Sequence, residues 1–335
     1  MRISRLAQRA LGVAAAAAML AGCEGGASHA GLGSSLPATQ SATWPGFGRP
    51  KSAHSDRGRS WMAPDAKNGN LLYISDIGTN DVYVYSYPKL RLEGTLMGFA
   101  TPYGECVDKA GDVFVTNFET QQIFEYAHGG TNRIATLNDL GYYPSGCSID
   151  PMTGNLAVTN YSNSDSVPGN VAIYVGAAGA PAAYYTDDLM YEMFLCSYDN
   201  NGNLFVDGEQ IGSGGFVLAE LARRQHVMTD IFLNQSIGII SGVQWDGKHL
   251  VIGDATAGTL YQLKLSGVYG TVVGTIPLNE AFYLAQFTIK GRKVVAPYSA
   301  GAGLWNYPSG GSAIETVDNG SFNAPFGSAI SNVTI

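Results

Sequence analysis

Charge is scarce in this chain: only 14% of its 335 residues are Asp, Glu, Lys or Arg. The 19 basic residues are outnumbered by 27 acidic ones, a formal net charge of −8. That balance excludes a nucleic-acid partner held through its phosphates. Histidine is equally sparse. His29, His54, His128, His226 and His249 form no repeated set, so a Ser-His-Asp triad has no support. The four cysteines, Cys23, Cys106, Cys147 and Cys196, fit no zinc-binding spacing with accompanying histidines. The apolar run Leu11–Leu20 is too short to cross a bilayer as a stable helix. Disorder of the whole chain is excluded too, because 45% hydrophobic residues supply a sizeable core. What the chain has in excess is glycine, 43 residues, together with 19 tyrosines. That mixture suits many short strands joined by tight turns.

The N-terminus carries an address. Arg2, Arg5 and Arg9 precede the apolar run, which ends in Leu20-Ala21-Gly22-Cys23. This order of segments is that of a secretory signal. The last four residues resemble the bacterial lipobox, which implies cleavage before Cys23 and acylation of its thiol with chains such as palmitate. The expected partition is a signal peptide over 1–22, a lipidated Cys23 with a flexible tether over 23–60, and a folded domain over 61–335. Gly, Ser, Ala, Pro and Thr dominate the tether. Loss of the signal leaves 16 basic against 27 acidic residues, a net charge of −11. The acidic body is not drawn to anionic headgroups, so the membrane partner is reached through the lipid. The expected location is the cell envelope, facing the periplasm or the exterior. Of the three remaining cysteines at least one is unpaired, and all three read as small buried apolar residues.

From residue 70 onward the chain repeats. Pro102-Tyr-Gly-Glu-Cys-Val-Asp108 recurs as Pro144-Ser-Gly-Cys-Ser-Ile-Asp150, with weaker copies at Met193–Asp199, Ile240–Asp246, Tyr283–Ile289 and Pro325–Ser331. The third positions, Gly104, Gly146, Leu195, Gly242, Ala285 and Gly327, lie 42, 49, 47, 43 and 42 residues apart. Periods of about 40–50 residues indicate propeller blades. Each unit continues into a second strand, such as Asp112–Asn117 or Asn155–Asn160, and a third, such as Gln122–Tyr126. The first unit has no first strand, while the last unit, 325–335, is a first strand with nothing after it. The two fragments complete one another. The sequence thus predicts an all-β, six-bladed β-propeller closed by the C-terminal strand, which enters the first blade as its innermost strand. The string Leu72-Tyr-Ile-Ser-Asp-Ile-Gly-Thr-Asn-Asp-Val-Tyr-Val84 resembles the NHL-type repeat, which implies a binding platform.

Candidate chemistry gathers where second strands end and first strands begin. The second-strand ends read Asp76, Asn117, Asn160, Asp207, Asp254 and Tyr298, and the first-strand entrances add Glu105, Gln244 and Gln286. Convergent oxygens of this kind suit calcium. The set resembles the gluconolactonase-like calcium propellers. That resemblance implies a metal site of Glu105, Asn117, Asn160 and Asp207, with Asp207 as the catalytic base of a lactone hydrolysis. The same residues also read as ordinary turn chemistry, Asp and Asn binding nearby backbone N–H groups. Tyr103, Tyr143, Phe194, Tyr283 and Phe326 flank the entrances and predict an aromatic rim for a protein or small-molecule ligand. The alternative for these rings is packing between blades. Three functions stand: a lipid-anchored envelope binding module working through its top face, a calcium-dependent lactonase-type hydrolase, and an envelope scaffold.

Overall fold

Strands with no polar face must be covered on both sides. Leu71–Asp76 and Val113–Asn117 are buried at every position, so each needs a sheet above and a sheet below. The computed structural model describes residues 58–162, 167–210, 212–299, 301–317, 320 and 322–333, all within one unit spanning Gln40–Ile335. The signal peptide, Cys23 and nearly all of the tether lie outside the described residues.

Six sheets are arranged as a β-propeller, and we number the blades I to VI from the first second strand. Blade II shows the plan. Pro102–Val107 is innermost, followed outward by Val113–Asn117, Gln122–Tyr126 and Arg133–Asn138, each antiparallel to the last. Blade III is built the same way from Tyr143–Ile149 outward. Blade IV starts at Met190–Tyr198, blade V at Ile240–Trp245 and blade VI at Thr288–Lys290. Blade I takes its inner strand from the far end of the chain. Pro325–Ser331 pairs antiparallel with Leu71–Asp76, setting Leu72 against Ile330 and Asp76 against Pro325. Its outermost strand, Trp61–Met62, begins at the expected domain start.

The core is divided among the six junctions between blades. Alternate residues of one strand serve opposite neighbours. Leu71 and Tyr73 pack with Val113 and Val115 of blade II, whereas Leu72 and Ile74 pack with Val295 and Leu304 of blade VI. Four further apolar clusters fill the remaining junctions. Each fully buried aliphatic side chain contributes about 1.5–3 kcal/mol.

Besides blade I, whose Trp61–Met62 is a fifth strand, two blades depart from the four-stranded plan. In blade VI the expected inner strand Tyr283–Ile289 is regular only over Thr288–Lys290. Pro297 on the facing strand has no N–H to donate, and ahead of the regular part the two segments are joined by the Ala285 N–H to the Pro297 carbonyl and the Ser299 N–H to the Phe282 carbonyl, both at 3.0 Å. Blade V has a fifth strand, Phe232–Leu233, running parallel to the outer edge at Tyr269–Gly270.

The cysteines also differ from expectation. Cys106 and Cys147 form a disulfide between the inner strands of blades II and III, and among the described residues Cys196 remains as a buried thiol. The two pairing cysteines occupy successive positions of the repeat, not the same one. Cys106 stands where blade III has Ser148, and Cys147 where blade II has Glu105.

Candidate functional site at the upper mouth of the ring

The upper face is the one where second strands end and inner strands begin. Asp76, Asp254 and Asn117 bind backbone there. Asp76 Oδ1 accepts N–H bonds from Gly78, Thr79 and Ala324 at 2.8, 3.0 and 3.0 Å, and Oδ2 accepts from Asn323 at 2.7 Å. Asp254 repeats the pattern, accepting from Thr256 and Ala257 at 3.0 Å and from Gly238 at 2.8 Å. Asn117 Oδ1 accepts the Ala100 N–H at 2.8 Å. In each case a turn and the approach to the inner strand of the same blade are tied together.

Of Glu105, Asn117, Asn160 and Asp207, three keep buried oxygens without a hydrogen-bond partner: both carboxylate oxygens of Glu105, Asn160 Oδ1 and Asp207 Oδ2. Glu105 is buried against Ala329 and Tyr73 of blade I, and neither of its carboxylate oxygens has a hydrogen-bond partner. Desolvation holds its pKa well above the usual carboxylate range; the nearby Ala329 N–H offsets part of this without ordinary bond geometry. Asn160 donates to Asp139 Oδ2 and Asn170 Oδ1, both at 2.9 Å. Asp207 Oδ1 accepts the Leu195 N–H at 2.8 Å, on the side of the ring facing blade V. Burial pushes Asp207 up to about 7, against the lowering effect of backbone N–H groups. Asn117 spends its oxygen on Ala100. Among the described residues no group of three or more His, Cys, Asp or Glu side chains is arranged to hold a metal.

Four of the five expected rim aromatics are brought together, with two that sequence reasoning missed. Phe326 of blade I packs on Tyr103 of blade II, ring centroids 4.2 Å apart. Tyr103 stacks on Phe118 at 5.2 Å, and Phe118 stacks on Tyr143 of blade III at 4.8 Å. Tyr161 meets Phe118 edge-on at 6.0 Å and Phe194 of blade IV at 5.2 Å. Six rings thus run continuously across four blades. Phe326 and Phe194 are buried, whereas Tyr103, Phe118, Tyr143 and Tyr161 are half-buried. Phe118 directly follows the second-strand end Asn117 and Tyr161 directly follows Asn160, which is the signal that would have found them. Tyr283 stands apart from the rings, half-buried in left-handed backbone at φ 55° on the same apolar cluster.

The rings border two carboxylates that the repeat pattern does not single out. Glu192 and Glu209 are direct cross-strand partners in blade IV. Ser162 Oγ donates to Glu192 Oε1 at 3.3 Å, and the Tyr161 hydroxyl donates to the same carboxylate. Both acids are raised, Glu192 by desolvation and Glu209 to about 7 by desolvation and then by Glu192.

Below the mouth the inner strands enclose a polar channel of 300 Å³. Its walls are bonded blade to blade. Ser148 Oγ accepts the Tyr198 N–H at 3.1 Å, Ser197 Oγ the Trp245 N–H at 3.0 Å, and Gln244 Oε1 the Ile289 N–H at 2.6 Å. Gln286 spans further. It accepts from Ser328 and Glu105 at 3.2 and 3.0 Å and donates to the Glu105 carbonyl at 2.8 Å. Gln244 and Gln286 therefore hold the ring together. The Cys106–Cys147 disulfide is the covalent form of the same link between blades II and III.

No protein-family profile matches the chain, and no curated protein sequence does. Several solved structures are similar in fold. A chain of the nidogen/laminin complex aligns over 80% of this chain and all of its own length, with a TM-score of 0.65 and 13% identity. A protein of unknown function from Bacteroides caccae aligns over 78% of this chain and 99% of its own, with a TM-score of 0.60 and 12% identity. Hydrazine synthase from Kuenenia stuttgartiensis aligns over 73% of this chain and 75% of its own, with a TM-score of 0.52 and 15% identity. At these identities the likeness is one of fold, a β-propeller.

Proposed function

We propose that this chain is a lipid-anchored binding module of the bacterial cell envelope, and that its upper face docks a protein or small ligand. The observation that carries the reading is the continuous run of six aromatic rings across blades I to IV, four of them half-buried at the upper face. Half-buried Tyr and Phe rings offer large contact area at low entropic cost, which is the chemistry of recognition surfaces. Blade-to-blade bonding beneath holds that surface rigid, so little ordering is lost on binding. The β-propeller fold is commonly a protein-interaction module, and the neighbouring nidogen/laminin structure is itself a complex. The lipobox-like Leu20–Cys23 and the polar tether support an anchor that leaves the body free of the membrane.

Two measurements test this. Cys23→Ser should abolish incorporation of labelled palmitate and release the chain from the membrane fraction; retention would refute the anchor. A photo-crosslinking residue at Tyr143 should capture a discrete species, and one at Lys248 at the opposite end of the blades should not. Equal capture from both positions would refute the upper-face assignment.

A further inference from the structure

Buried carboxylates need donors or cations, and one pair here has too few. Glu192 is 8% exposed and Glu209 is 9% exposed, and each stands directly opposite the other on adjacent antiparallel strands. Like charges in that relation repel. Glu192 Oε2 is buried without any hydrogen-bond partner. Neither acid has an ion-pair partner among the described residues, where the ion pair present joins His249 to Asp246. The local electrostatics agree with the geometry: Glu192 raises the cost of ionising Glu209, and it also raises the Tyr103 and Tyr161 phenols. Among the described residues the donors in reach of Glu192 are the Ser162 and Tyr161 hydroxyls. An unpaired, desolvated acid pair costs stability, and a cation between the two would recover it.

The walls decide which cation. Tyr161 meets Phe194 at 5.2 Å and Phe118 at 6.0 Å, and Tyr103 stacks on Phe118. Aromatic faces attract organic ammonium ions and give a metal ion no ligand oxygens beyond the phenols. Both carboxylates come from a single blade, too few hard donors for calcium.

We propose that Glu192 and Glu209, walled by Tyr161, Tyr103 and Phe194, form a binding site for an alkylammonium group. Resting on the upper-face reading above, the inference names the chemistry of the ligand: a positively charged amine on an aliphatic stem, as a lysine side chain or a free amine presents it. The carboxylates balance the charge, the Ser162 and Tyr161 hydroxyls orient Glu192, and the rings enclose the stem.

The test titrates the full-length chain with n-butylammonium by calorimetry, with sodium butyrate, neutral butanol and calcium chloride at matched ionic strength as controls. Butylammonium should bind and raise the melting temperature, and the controls should do neither. Glu192→Gln and Glu209→Gln should each weaken binding at least tenfold while leaving the unliganded protein folded and at least as heat-stable, because repulsion is relieved. Undiminished binding in both variants, or equal binding of butyrate, overturns the proposal, as does calcium binding in place of the amine. N-acetyl-lysine methylamide separates the sources. Binding tighter than butylammonium identifies a polypeptide lysine, and equal binding identifies a free amine. Phe118→Ala distinguishes the two readings: if it abolishes crosslinking from Tyr143 while butylammonium never binds the unmodified chain, the upper-face module stands and the amine site falls.

Discussion

Asp76 accepts the backbone N–H of Asn323 across 247 residues of sequence, at 2.7 Å, and its second oxygen accepts from Ala324 at 3.0 Å. One carboxylate at the end of the first second strand thus seats the last inner strand. The same oxygen also closes the turn at Gly78 and Thr79.

Asp76→Ala should therefore loosen ring closure, not merely a turn. Four N–H groups lose an acceptor, and each buried orphan costs about 1–3 kcal/mol, so a loss on the order of 3 kcal/mol or more is expected. Asp76→Asn should recover part of it. Urea unfolding reads the effect, and an unchanged midpoint for the alanine variant would refute the role. Deletion of 325–335 is the limiting case and should unfold the body, since Leu71–Asp76 would lose its inner partner and keep only Asp81–Ser86.

The disulfide makes a separate prediction. Cys106 and Cys147 are separated by 41 residues, and closing a loop of that length contributes about 4 kcal/mol in the chain-entropy account. Cys147→Ser should lower stability by about that amount at most. Cys196 is fully buried and burial raises its thiol pKa, so it should resist alkylation until the protein unfolds. Rapid labelling of the native protein at Cys196 would contradict its placement. Ser148 and Cys196 hold the repeat positions of Cys106 and Cys147 one blade further on. Ser148→Cys should form a second inter-blade disulfide with Cys196, detected by non-reducing peptide mapping.

Stability should fall as pH rises from about 4 to about 7. Asp207 and Glu209 are each raised to about 7 and Asp81 to about 6, chiefly by desolvation. The folded chain therefore holds protons that the unfolded chain gives up. The stabilisation is complete below the unfolded pKa near 4 and is lost as pH climbs through the folded values. For Asp207, which is fully buried, the change is on the order of 4 kcal/mol at about 1.36 kcal/mol per unit. Asp207→Asn keeps an acceptor for the Leu195 N–H and cannot ionise, so its stability profile over pH 4–8 should be flatter than that of the unmodified chain. Parallel profiles would show that Asp207 is not the group responsible.

Gly104 sits where two inner strands approach. A Cβ there would lie 2.6 Å from the Ser145 carbonyl oxygen and 2.8 Å from the Gly146 Cα, both backbone atoms of blade III. Gly104→Ala should cost about 1–3 kcal/mol through that overlap, measured as a lowered melting temperature. Gly154→Ala is the contrast: its Cβ meets nothing, and only the positive φ of 75° is strained.

Much of the architecture was legible because propeller blades repeat. The period, the second-strand ends and the unmatched 325–335 segment were each local or countable features. Strands read as continuously apolar because Leu71 and Leu72 serve different neighbouring blades. What escaped the sequence is the pairing across blades. Nothing local distinguishes Cys147, which is bonded, from Cys196, which is not. The departure in blade VI follows from Pro297, whose effect depends on which strand faces it. Glu192 and Glu209 were invisible for the same reason. They are 17 residues apart in an otherwise ordinary hairpin, and only the antiparallel register puts them side by side.

The upper face shows the same division. Aromatic residues at strand entrances were readable as a rim, but Phe118 and Tyr161, which join the others, follow second strands instead. Their rings meet because adjacent blades converge at the axis, a closeness with no counterpart along the chain. By itself the sequence determined the repeat, most strand identities and the terminal closure, since each depends on residue type and spacing. Tertiary structure decided which polar oxygens were spent on backbone and which were left buried without a partner, because hydrogen-bond satisfaction depends on what the neighbouring blade presents.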